Sequence, residues 1–178
     1  MDNILKILEL GNNDEKIKIL ETLDNTYNTK ILEKIILKLN DDNIQVRGEA
    51  FSSLVLNKNK ISDLLIKNLS SEDKNIRSFS TLVLANRNEV NSIPEIMKLA
   101  KDEQSIVRSC VIGALEHLKA QEAKEIFLKS LLDSNLEVRI SALHAIVNLN
   151  ITISEDKMEQ IMKEKDPEIK KLLSKLKK

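Results

Sequence analysis

The amino-acid sequence predicts an all-α fold, a right-handed α-α superhelix of about five helix pairs with a half-repeat at each end. Three observations carry this. An aliphatic residue followed by arginine recurs at Val46-Arg47, Ile76-Arg77, Val107-Arg108 and Val138-Arg139, so the arginines stand 30, 31 and 31 residues apart. Other columns keep the same step at positions that share one helix face. Aromatic residues make up only 2% of the chain, and three Gly and two Pro leave little turn chemistry for a β fold.

Taken in order, the pattern predicts helices near 2–10, 13–24, 28–40, 43–57, 60–70, 73–86, 91–101, 104–118, 121–132, 135–148, 154–164 and 167–177. The even-numbered helices, here called A, carry the column Lys16, Arg47, Arg77, Arg108, Arg139 and Lys170. Three residues on stand Ile19, Ala50, Ser80, Val111, Ala142 and Leu173, and seven on stand Leu23, Leu54, Leu84, Leu115, Ile146 and Lys177. With the aliphatic residue before Arg, these make one buried stripe. The odd-numbered helices, here called B, carry Ile4, Ile35, Leu65, Ile96, Phe127 and Met158, and four residues on Leu8, Leu39, Leu69, Ala100, Leu131 and Met162. That spacing is again one face. Ser134-Asn135-Leu136-Glu137 and Ser92-Ile93-Pro94-Glu95 fit capping boxes, and Pro94 and Pro167 fall where a first turn accepts proline. One array over 1–178 is expected: a half-repeat cap over 1–11, helix pairs over 12–165, and a lysine-rich cap over 166–178.

At these residues the chain resembles the short HEAT-like repeat of the bilin (phycobiliprotein) lyase type, whose units run Asp, a few residues, Val-Arg, then Ala and Leu. Asp42…Val46-Arg47…Ala50…Leu54 and Asp133…Val138-Arg139…Ala142 carry the likeness. The acidic residue varies in place, with Asp102 six residues before its Arg and Asp73 four. The resemblance implies that Arg47, Arg77, Arg108 and Arg139 are structural joints between repeats. It says little of activity, because repeats of this kind serve scaffolds, adaptors and some enzymes.

No catalytic set stands out, so the chain is expected to be non-catalytic, without cofactor or metal. Glu116-His117 is a lone acid–His pair, His144 lies in another column, and Cys110 has no His at helical spacing to activate it. Gly48 and Gly113 are isolated within A helices, where close helix contact or a slight bend would explain them. With 28 basic and 28 acidic side chains the net charge is zero, and no global field draws in nucleic acid or an anionic membrane. One cysteine, no signal-like start and no long apolar run give the expectation of a cytoplasmic monomer.

One surface pattern remains, on the B helices. Lys67, Lys98 and Lys129 form a row on the face that such stacks make concave, a rail for an acidic ligand. One turn earlier stand Asp63, Pro94 and Glu125, so Asp63–Lys67 and Glu125–Lys129 are expected to pair, as is Asp2–Lys6, leaving Lys98 free. A scaffold or adaptor for a partner protein is the function this predicts. The alternatives are an accessory subunit or lyase related to bilin lyases, and weak nucleic-acid binding through the B-helix lysines, against which the missing aromatic platforms argue.

Overall fold

The computed structural model describes residues 2–163 and 166–176, and among them it contains twelve α-helices and no strand. The chain divides into two compact units, Met1–Ser92 and Ile93–Lys178. In the first unit lie α1 (Asp2–Leu10), α2 (Asn13–Leu20), α3 (Thr29–Leu37), α4 (Ile44–Leu56), α5 (Ser62–Lys67) and α6 (Lys74–Asn86). In the second lie α7 (Ile93–Lys98), α8 (Ser105–His117), α9 (Lys124–Ser130), α10 (Leu136–Asn148), α11 (Glu155–Met162) and α12 (Pro167–Leu176). Lys177 and Lys178 of the expected basic cap fall outside the described residues, as does the Met162 side chain.

Within the first unit the A helices α2, α4 and α6 pack in succession, with α1 and α3 against α2 and α4, and α5 against α6. Within the second, α8 and α10 make the most extensive helix pair, α7 and α9 pack on them, and α12 packs on α10. The aliphatic columns form the cores. Val46, Ala50 and Leu54, like Val107, Val111 and Leu115, are fully buried on A helices, and Leu8, Ile35, Leu39 and Leu65 or Ile96 and Phe127 are fully buried on B helices. Each such aliphatic side chain contributes about 1.5–3 kcal/mol by leaving water, which outweighs the weak propensity differences among helix formers.

Between B and A the chain turns by a repeated device. α3, α5 and α7 tighten into 3-10 turns at Lys38–Asn40, Asn68–Ser70 and Leu99–Lys101. A side-chain oxygen of the next residue then accepts the N–H two residues on: Asp41 from Asn43 at 3.1 Å, Ser71 from Asp73 at 3.2 Å, and Asp102 from Gln104 at 2.9 Å. Asp133 accepts from Asn135 at 2.9 Å in the same way. The A helices start at the residue that donates that N–H: Asn43, Asp73 and Asn135, like Asn12 before α2, accept N–H groups of the first turn. The cap of α10 is thus Asn135 rather than Ser134. Ser92 does not open a capping box either; it ends a 3-10 turn, and its hydroxyl donates to the Glu89 carbonyl at 2.6 Å. The reciprocal box forms instead at Asn12 and Glu15.

From A to B, α6, α8 and α10 end alike. Asn88, Lys119 and Asn150 take φ of 55°, 54° and 53°, and the N–H of each following residue reaches back to Leu84, Leu115 and Ile146. This is the left-handed cap that ties off the last carbonyls of a helix. α4 lacks it, since its chain leaves extended at Asn57. The Arg87 guanidinium closes that end instead, donating to the Leu54 carbonyl of α4 at 3.2 Å, to the cap carbonyl of Asn57, and to the Asn59 carbonyl beyond it at 2.9 Å. α2 also stops short of the expected 24, at Leu20, because Thr22 and Leu23 bond three residues back and the Thr22 hydroxyl takes the Ile19 carbonyl. A Cβ on Gly48 or Gly113 would meet nothing within 4 Å, so close helix contact is not what those glycines serve.

Candidate functional site

The arginine column sits inside the B-to-A turns. Arg47 Nη1 donates to the carbonyls of Asp41 and Asp42, Arg77 Nη1 to those of Ser71 and Glu72, Arg108 Nη1 to those of Asp102 and Glu103, and Arg139 Nη1 to those of Asp133 and Ser134, all between 2.7 and 3.2 Å. Each guanidinium therefore clamps the loop before its own helix. Lys16 and Arg108 also reach the next repeat. Lys16 meets Asp41 at 3.0 Å, and Arg108 grips Asp133 with Nε and Nη2, both at 2.8 Å. The turn geometry corrects the alignment of the acidic residues. Asp41, not Asp42, corresponds to Asp133, six residues before its arginine, while Asp73 belongs to the separate column of helix caps.

Electrostatics follow from those contacts. The Arg108 guanidinium holds the Asp133 carboxyl below its ordinary value against the opposing pull of burial, and the same hydrogen bonds raise Arg108. Burial pulls Asp41 upward, but Lys16, the Asn43 amide and Lys38 together outweigh it and leave the carboxyl lowered. Glu49 is raised, by burial first and then by the nearby Glu21 carboxylate.

The B-helix surface differs from expectation in its pairing. Asp63 and Lys67 are exposed on α5, and Glu125 and Lys129 on α9, yet among the described residues neither couple closes to an ion pair, nor does Asp2–Lys6. Lys98, expected to be free because Pro94 stands one turn before it, instead meets both Glu95 oxygens at 2.6 and 2.7 Å. The spacing of three suffices where the spacing of four offers no acid.

Two of these lysines border a groove in the second unit, of about 480 Å³, which runs between α7 with its 3-10 turn and α9. Pro94, Met97, Lys98 and Lys101 face it from one helical stripe, since Ile93 and Ile96 turn to the core. Ile126, Lys129 and Ser130 face it from the other side, with Phe127 turned inward. Ala100 lies between them. In the same column Leu8, Leu39, Leu69 and Leu131 are all buried, so Ala100, with a methyl in place of an isobutyl group, leaves the part of the groove beside it open. Its signal in the sequence is a single small residue in a leucine column.

His117 is exposed, and Cys110 is half-buried. Among the described residues no three His, Cys, Asp or Glu side chains are placed to hold a metal ion, and no helix is long and apolar enough to cross a membrane.

Residues 62–147 match the family of HEAT repeats. No curated protein matches the chain. Among solved structures, a designed armadillo repeat protein in complex with the peptide (KR)4 superposes with a TM-score of 0.61 at 15% identity, over 98% of this chain and 96% of that one. The complex of CpcE and CpcF of phycocyanin lyase from Nostoc sp. PCC7120 gives 0.59 at 16% identity, over 97% of this chain and 73% of that one. The E. coli protein YibA gives 0.54 at 18%, over 100% and 82%. The columns of the matched segment continue on both sides of it, so the chain is similar to HEAT repeat proteins in sequence pattern and in fold.

Proposed function

We propose that this chain is a scaffold that holds a partner protein on its B-helix surface, through the groove between α7 and α9. The groove carries the reading: it joins an apolar floor of Met97, Ala100 and Ile126 to a rim of Lys98, Lys101 and Lys129, the combination of burial and orienting polar groups that binding sites use. Two similar folds are known with polypeptide companions, the armadillo design with its peptide and CpcE with CpcF. Lys67 and Asp63 on α5, and Glu125 beside Lys129 on α9, are the further contacts of this reading. A photo-crosslinking residue at Ile126, in the native cell extract, tests it against the same residue at the exposed Glu137 on α10. A discrete protein crosslinked from 126 and not from 137 is the expected result. Recovery of the chain alone, or equal labelling from both positions, would refute the reading.

A further inference from the structure

The groove has a chemistry that specifies more than a generic protein surface. Its floor is aliphatic and thioether, with no aromatic ring, so it offers an alkyl side chain a place to leave water and offers a nucleobase no stacking face. No carboxylate lines it, while three ammonium groups do. Lys98 is already held by Glu95, but Lys101 and Lys129 are exposed and enter no ion pair among the described residues. They stand on opposite walls, Lys101 after α7 and Lys129 on α9, with Ala100 next to the first.

We infer that the groove between α7 and α9 takes an acidic peptide segment that inserts an aliphatic side chain beside Ala100 and sets carboxylates against Lys101 and Lys129. This rests on the scaffold reading above and names the partner's chemistry. The inserted side chain restores the packing that leucine supplies at Leu8, Leu39, Leu69 and Leu131. Charge complementarity at the rim fixes which segments are admitted and speeds their encounter. The sign is opposite to that of the basic peptide bound by the armadillo design, consistent with a lining that has lysines and no acid.

The test is fluorescence anisotropy with the full chain and labelled synthetic peptides: one rich in glutamate with leucines, one with those leucines changed to serine, one with the glutamates changed to lysine, and oligo-dT. The acidic leucine peptide is expected to bind, and each substituted peptide to bind about tenfold more weakly or worse, the loss of one buried aliphatic group or of the rim charges. Two variants locate the site. Ala100→Leu places the residue that the column carries at Leu8, Leu39, Leu69 and Leu131 in the space proposed for the inserted side chain, so the fold is retained and binding is lost. Lys101→Glu with Lys129→Glu alters only exposed side chains and should abolish binding of the acidic peptide. Equal binding of the serine peptide, tighter binding of the basic peptide or oligo-dT, or binding unchanged by Ala100→Leu would overturn the inference. If no peptide binds while the crosslink at 126 still captures a protein, the acidic class fails and the scaffold reading stands; if neither succeeds, both fail.

Discussion

A guanidinium that satisfies two loop carbonyls and one carboxylate leaves little of itself to water, and Arg108 does all three. Its counterpart Arg47 does only the first among the described residues, because the position that would face it, six residues before the next arginine, is Ser71. Ser71 keeps the turn by accepting the Asp73 N–H, but it has no second oxygen to offer. Ser71→Asp should keep that turn and add the missing ion pair. The expected gain is about 1 kcal/mol, reduced by repulsion from Glu72 and Asp73, and measurable by urea unfolding; in Arg47→Ala the gain should vanish. The carboxylates also give a signed pH dependence. Asp41 and Asp133 are lowered in the folded chain, so they stabilise it above the unfolded carboxylate range and that contribution is lost as the pH falls through their depressed values. Glu49 is raised, so its contribution has the opposite sense, present at low pH and lost as the pH rises through its folded value. Glu49→Gln is therefore expected to stabilise the protein at neutral pH and to have no such effect in acid, as read from thermal melts across pH. The paired role of Arg108 is approached by family resemblance in the sequence, but the choice of Asp41 over Asp42 is not, because it depends on which side-chain oxygen closes a turn.

Helices are set here by what ends them as much as by their faces. The apolar columns made all twelve helices legible, since a stripe at helical spacing must be buried whatever the loops do. Their ends were less so. A serine before an asparagine looks like a cap at 134, but the turn built on Asp133 uses up one residue and passes the role to Asn135. The same geometry shows where a cap is missing: Gln104 has the extended backbone of its column, φ −88° and ψ 121°, yet its side chain makes no capping hydrogen bond. Gln104→Asn should supply one to α8 and raise stability by about 1 kcal/mol. Gly48, within α4 and open around its Cβ position, offers an independent gain: Gly48→Ala should add about 0.5–1 kcal/mol by the lower conformational entropy of the unfolded chain. Both are read as shifts in the urea midpoint with an unchanged slope. The groove illustrates the opposite limit of legibility. Lys98 and Lys129 are visible in the sequence as members of a row, whereas Lys101 lies outside that row and the pairing of Lys98 is hidden from it, because Glu95 reaches Lys98 across a spacing that the row does not contain.

At the scale of the molecule, a repeat protein is stabilised chiefly through nearest neighbours, and a helix with fewer neighbours should open first. In the first unit α1 packs on α2 and α3, while α4 packs on α2, α3 and α6. In the second unit α12 packs chiefly on α10 among the described residues, whereas α10 is held by α8, α9 and α12. Burial follows the same order. α10 buries Val138, Ile140, Ala142, Leu143, Ala145 and Ile146, and α1 buries Leu8. Native-state hydrogen exchange is thus expected to show a gradient within each unit, with α1 and α12 exchanging through openings of low free energy and the amides of α4, α8 and α10 protected up to the global value. Each residue buried at a helix–helix seam contributes about 1.5–3 kcal/mol, so a helix with one seam is separated from its neighbours in protection by a few kcal/mol. The acidic-peptide reading adds a discriminating signature, because a ligand that binds only the folded groove stabilises what holds the groove together. Saturating peptide should slow exchange in α7 and α9 and leave α1 unchanged. Uniform protection along the chain, or peptide-dependent slowing confined to α1, would contradict both the neighbour argument and the placement of the groove.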